Sequence, residues 1–114
     1  MVRLDKEETI LVVSTEYIEG YDLEMLGVVK GGVVHSKNAF RDFGAGLKTI
    51  VGGEIKAYTD MMNEARDLAT RRMVEEAVAL GADAVVGLRY ASAAIMQGAS
   101  EVMAYGTAVK ARKK

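Results

Sequence analysis

An α+β fold is predicted: a mostly antiparallel four-stranded sheet packed on one long helix plus a short one, in the order β-β-α-α-β-β. Three observations lead there. A stripe of apolar residues advances by threes and fours from Gly53 to Leu80, the period of a long amphipathic helix. Runs rich in β-branched residues lie on both sides of it. Glycine is the only strong punctuation, because the chain has no proline.

The elements follow in order. "TILVVST" (residues 9 to 15) reads as a short strand, and "EYIEGYD" after it as a polar turn around Gly20. "EMLGVVKGGVVHS" (24 to 36) reads as a second strand in which Gly31 and Gly32 mark a bulge or a close backbone approach. Phe40, Phe43, Leu47 and Ile50 then fall at helical spacing, so residues 38 to 51 form a short helix, capped by Ser36 or Asn38 and weakened by Gly44 and Gly46. The long helix of about seven turns carries Ile55, Tyr58, Met62, Ala65, Ala69, Met73, Ala77 and Leu80 on its stripe, widened by Met61, Leu68, Val74 and Val78. Gly81 stands where a left-handed C-terminal residue is wanted. Strands follow at 83 to 92 and, after a turn at Gly98, at 100 to 111. Residues 1 to 114 make one domain, with 1 to 8 and 111 to 114 as flexible ends.

The late strands are apolar on both faces. Met103, Tyr105, Thr107 and Val109 alternate with Val102, Ala104, Gly106 and Ala108, and Ala84, Val86 and Leu88 with Val85 and Gly87. One long and one short helix cannot cover both faces of such a sheet, so a second copy of the chain is expected on the remaining one, and the small face of Ala104, Gly106 and Ala108 is where helix or neighbour approaches closely.

Composition excludes several functions. Fifteen Lys and Arg against sixteen Asp and Glu give a formal charge of -1, which provides no field for nucleic acid. The single basic run, "KARKK", reads as a solvated tail. Without cysteine there is no disulfide, thiolate metal site or cysteine nucleophile. The start "MVRLDKEETI" lacks a signal-peptide core and no apolar run reaches membrane-spanning length, so a cytoplasmic location and no membrane partner are expected.

Candidate chemistry is sparse. "GAGLKTIVGG" places Thr49 where GxGxxG needs its third glycine, so a nucleotide cradle is not expected, and no cofactor is predicted. Gly52 and Gly53 read as a tight corner between the two helices. Glu54 in the first turn of the long helix complements the dipole and repels anions, so a ligand beside Glu54 and Tyr58 would be cationic or hydroxyl-bearing. Arg66 and Arg72 suit carboxylates across a subunit junction. These six residues are the ligand or junction candidates. For a divalent metal the donors are His35, the only histidine, and the carboxylates Asp60, Glu64 and Asp67 at i, i+4 and i+7. The competing reading pairs Lys56 with Asp60 and Asp67 with Arg71.

"IVGGEIKAYTDMMNEARDLATRRM", "LGADAVVGLRY" and "MQGASEVMAYGTAV" together resemble the YbjQ-like family of small uncharacterised proteins, over residues 9 to 110. The resemblance implies a dodecin-subunit-like fold, a ring-shaped homopentamer and a heavy-metal-binding label with no reaction attached. Soft metals select thiolate and imidazole, which this chain lacks except at His35. Three functions are therefore expected in competition: a non-enzymatic homo-oligomeric module working at its subunit junctions, a carboxylate and His35 metal binder, and an enzyme with an inter-subunit site around Glu54, Tyr58 and an arginine.

Overall fold

The computed structural model describes residues 2 to 3, 9 to 36, 51 to 97 and 99 to 114. Its elements are β1 (Val2–Arg3), β2 (Thr9–Val12), β3 (Tyr21–Ser36), α1 (Val51–Ala79), β4 (Ala84–Met96) and β5 (Ala99–Lys113). They form one mixed sheet in the order β1-β2-β4-β5-β3.

The α+β class, the long helix and a sheet of four main strands agree with the sequence reading; the element order and the second helix do not, and the sheet is mixed. β1 adds a two-residue strand at one edge, and β2 runs parallel to β4, with Leu11 opposite Ala84 and Val12 opposite Val85. The other pairings are antiparallel. Side-chain alternation reports which face a residue occupies and carries no information on strand direction or order, which is why the parallel pair was illegible. Among the described residues there is one helix; the short helix expected over 38 to 51 lies outside them except at Val51, which belongs to α1. Gly52 and Gly53 are accordingly inside the helix and not at a corner before it. At the other end, residues 111 to 113 continue β5 and pair with residues 21 to 23 of β3.

Helix α1 packs its small residues on the sheet. Val29, Ala69, Met73, Val74, Ala77, Val85, Ala104 and Ala108 form one fully buried cluster. The close approach expected at Gly31 and Gly32 falls on Gly31 alone: a methyl group there would collide with the Ala69 carbonyl oxygen and the Met73 amide nitrogen. The bulge lies elsewhere in β3, between Met25 and Gly27. The small face of β5 is consumed within the chain, with Ala104 and Ala108 under α1 and Gly106 against Val85 and Val86 of β4. The helix ends in a Schellman turn. Gly81 takes φ of 81°, the Ala82 amide donates to the Ala77 carbonyl at 3.1 Å, and the Gly81 amide to that of Val78 at 2.9 Å.

The opposite face of the sheet is only half covered. Near the start of β4, Ala84, Val86 and Val109 are buried beneath Leu11, Val13, Ile18 and Leu23. A β4 irregularity between Val86 and Arg89 holds that cover in place, because the freed amides of Gly87 and Leu88 donate to the carbonyls of Thr15 (2.7 Å) and Val13 (3.0 Å). The Arg89 guanidinium adds a bond to the Ser14 carbonyl at 2.9 Å. Farther along, Val28 is 73% and Val34 59% exposed.

Candidate functional site

The candidates proposed along the helix are not brought together within one chain. Gly52 and Arg72 are twenty positions apart on α1, which at 1.5 Å per residue is about 30 Å. Gly52, Gly53, Glu54 and Tyr58 occupy its first turns, and the side chains of Glu54 and Tyr58 lie outside the described part of the structure. Arg66 donates to Asn63 Oδ1 of the same helix at 3.2 Å. Arg72 donates to the Gly32 carbonyl at 2.6 Å, so its guanidinium is engaged inside the chain.

The metal candidates are likewise dispersed. His35 stands on β3 opposite Ser100 of β5, and its side chain too lies outside the described part. Asp60 is paired with Lys56 at 3.1 Å, as the competing reading expects. The other half of that reading, Asp67 with Arg71, is not formed: among the described residues Lys56–Asp60 is the one ion pair within 4.0 Å. No group of three or more His, Asp or Glu among the described residues is placed to hold a metal ion.

Two features that the linear sequence did not single out stand out in the fold. The first is the outer half of β4. Residues 90 to 96, "YASAAIM", carry no charge and are all exposed, with Ile95 at 51% and Met96 at 69%. On one side β4 pairs with β5; on the other, among the described residues, β2 reaches only Val85. Among the described residues its one hydrogen-bonded tether to the helix is Tyr90. Thr70 Oγ1 donates to the Arg66 carbonyl at 2.7 Å, so the 2.7 Å contact between Thr70 Oγ1 and Tyr90 Oη has the tyrosine as donor.

The second is a cleft of about 320 Å³ at the opposite end of the sheet, lined by Asp22, Leu23, Glu24, Asp83, Lys110, Ala111 and Arg112. Asp83 is fixed there: its amide donates to the Val109 carbonyl at 2.8 Å, and its Oδ2 accepts from the Ala111 amide at 2.9 Å. Only the register of β3 on β5 brings the acids of residues 22 and 24 opposite the bases of 110 and 112, so sequence spacing alone could not show it.

Comparison with known proteins gives a consistent family. The model of a family described as "Putative heavy-metal-binding" matches residues 10 to 112. A UPF0145 protein of Clostridium novyi is 60% identical over 101 residues, covering 89% of this chain and 98% of the relative. One from Thermotoga maritima is 55% identical over 105 residues, covering 91% and 99%. Among solved structures, a protein of unknown function from Pediococcus pentosaceus, of the DUF74 family, superimposes with a TM-score of 0.63 at 16% identity, over 90% of this chain and 98% of that one. That likeness shows a shared fold.

Proposed function

The chain belongs to the YbjQ-like family of uncharacterised proteins, and from that premise we propose that it is a non-enzymatic, homo-oligomeric module of the cytoplasm that works through its subunit junctions. The observation that carries this reading is the outer half of β4, an uncharged strand with both faces exposed and an edge that no described strand pairs. Such a strand in water is a template for association. A second copy covering it removes that hazard and creates a junction where a ligand or partner can bind. The ring of five implied by the family resemblance is the assembly we propose. No described helix is long and apolar enough to cross a membrane.

The family description points to heavy metals, and the donor set does not fit them. Cysteine is absent and there is one histidine, while the described carboxylates are not gathered into a group of three. Soft ions need thiolate and imidazole ligands, and the residues present do not supply such a set. Native mass spectrometry of protein taken directly from cells tests the proposal: a species of five chains is expected, and a persistent monomer at micromolar concentration overturns it.

A further inference from the structure

We propose that the open face of the sheet, turned away from α1, is a two-fold docking surface for a second copy of the chain, on which Glu101 of each copy meets the Lys30, Tyr105 and Arg89 row of the other. This contact is additional to the ring proposed above. A two-fold contact cannot by itself close five copies, so a ring of five that presents this face pairs with another ring into ten.

The strand register builds the face. Ala104 and Ala108 of β5 and Val29 and Gly31 of β3 lie under α1, so the residues alternating with them look the other way. Antiparallel partners share a face, which sets three successive rows across β3, β5 and β4: Lys30, Tyr105 and Arg89; then Gly32, Met103 and Ala91; then Val34, Glu101 and Ala93. Lys30 and Arg89 are exposed, as are Val28 and Val34. The first row holds two cations beside a phenol, the third holds one carboxylate, and the middle row is uncharged.

These charges are not neutralised within the chain: among the described residues Lys56–Asp60, on the helix, is the one ion pair. Glu101 Oε2 stands 3.1 Å from where a Cβ on Gly32 would be, so the carboxylate leans over the middle row without an ion pair to Lys30. Arg89 is held in its row by Nη1, which donates to the Ser14 and Leu88 carbonyls, and a guanidinium has further N–H donors to offer.

A two-fold axis laid across the strands at the middle row reverses the strand direction. The first row of one copy then covers the third row of the other, with β5 over β5. Glu101 comes to lie over Tyr105, with Lys30 and Arg89 about 5 Å to either side, so one carboxylate gains two opposite charges and a hydroxyl. Gly32 and Ala91 keep the middle row low around Met103, whose unbranched thioether adapts to its counterpart. A surface that carries its own complement on either side of one line selects a second copy of itself; a partner of a single charge leaves either Glu101 or the two cations unmatched. The rows from Val28 to Val34 span roughly 400 Å² per copy, below the roughly 800 Å² of a standard interface. A single contact is therefore weak, and five acting together hold two rings.

Sedimentation velocity of the intact protein at low and high salt, with native mass spectrometry, tests this. Ten chains are expected at low salt and five at high salt, because the ionic contacts are screened. Glu101→Lys, which sets a third cation against Lys30 and Arg89, is expected to give five at low salt. Adding Lys30→Glu to it reverses the pair and is expected to recover a fraction of ten. Lys30 is exposed and Glu101 half-buried, so the variants should fold, and circular dichroism checks that they do. A wild-type species of two that Glu101→Lys splits into single chains would uphold this contact and remove the ring. Five chains in the wild type at low salt, an unchanged mass in Glu101→Lys, or no recovery in the double variant overturns the contact and leaves the ring standing; a wild-type single chain removes both.

Discussion

Gly31 and Gly32 are adjacent, identical in chemistry and opposite in consequence. At Gly31 an added methyl group meets the helix backbone, at the Ala69 carbonyl and the Met73 amide, which cannot move without shifting α1. At Gly32 the nearest atom is Glu101 Oε2 at 3.1 Å, the free end of a flexible side chain. We expect Gly31→Ala to cost about 2 to 3 kcal/mol, in the range of overpacked cores, and Gly32→Ala to stay within about 0.5 kcal/mol, as for ordinary surface changes. Urea unfolding of the two variants side by side checks the contrast, and equal costs would show that the helix does not lie over Gly31. The glycine pair was legible as a place of close approach, but alternation alone does not say which of two neighbours faces the helix. Gly81 was fully legible, because a left-handed C-terminal residue is a local requirement that the sequence states locally.

At the scale of elements, β3 and the outer half of β4, which no other described strand pairs on its free side, are treated differently. β3 is an edge strand, and side chains of α1 occupy it: Glu76 Oε1 accepts from the Lys30 amide at 3.2 Å and Arg72 donates to the Gly32 carbonyl. These bonds take up backbone groups that would otherwise recruit another strand. The double variant Arg72→Ala, Glu76→Ala should therefore keep its helix content while aggregating faster on warming, read by light scattering; unchanged aggregation would remove the protective role. Among the described residues, β4 has only the Tyr90–Thr70 hydroxyl hydrogen bond to tie its outer half to α1. Tyr90→Phe should cost about 0.5 to 1.5 kcal/mol, the usual worth of one such bond, and increase amide exchange in residues 90 to 96 more than in β5. Elements were legible because their periods are local. Their partners were not: nothing local to Arg72 points to the Gly32 carbonyl, forty residues away in sequence, that the helix lays beside it.

For the whole molecule, the question is what a helix can cover. The sheet is long, the molecule extending 56 Å against 26 and 24 Å in the other directions, and α1 packs on β3 and β5, with β4 beyond it exposed along residues 89 to 96. The sequence reading anticipated an uncovered apolar surface from the two-faced strands and left helix or neighbour open as the cover for the small residues of β5, where the chain's own helix lies. The surface left open is on β4 and at Val28 and Val34. A charge placed there separates assembly from folding. In an isolated chain Ile95→Lys changes an exposed site and should alter stability by no more than about 0.5 kcal/mol. In an assembly that covers β4, the same lysine must be desolvated without a partner, a cost of several kcal/mol, enough to shift subunit association by orders of magnitude. Leu80 offers a matched control, a large apolar residue of similar exposure (49% against 51%) at the end of α1. Light scattering is expected to show a reduced mass for Ile95→Lys with native circular dichroism, and the wild-type mass for Leu80→Lys. Retention of the wild-type mass by Ile95→Lys would mean that the outer half of β4 is not where the copies meet.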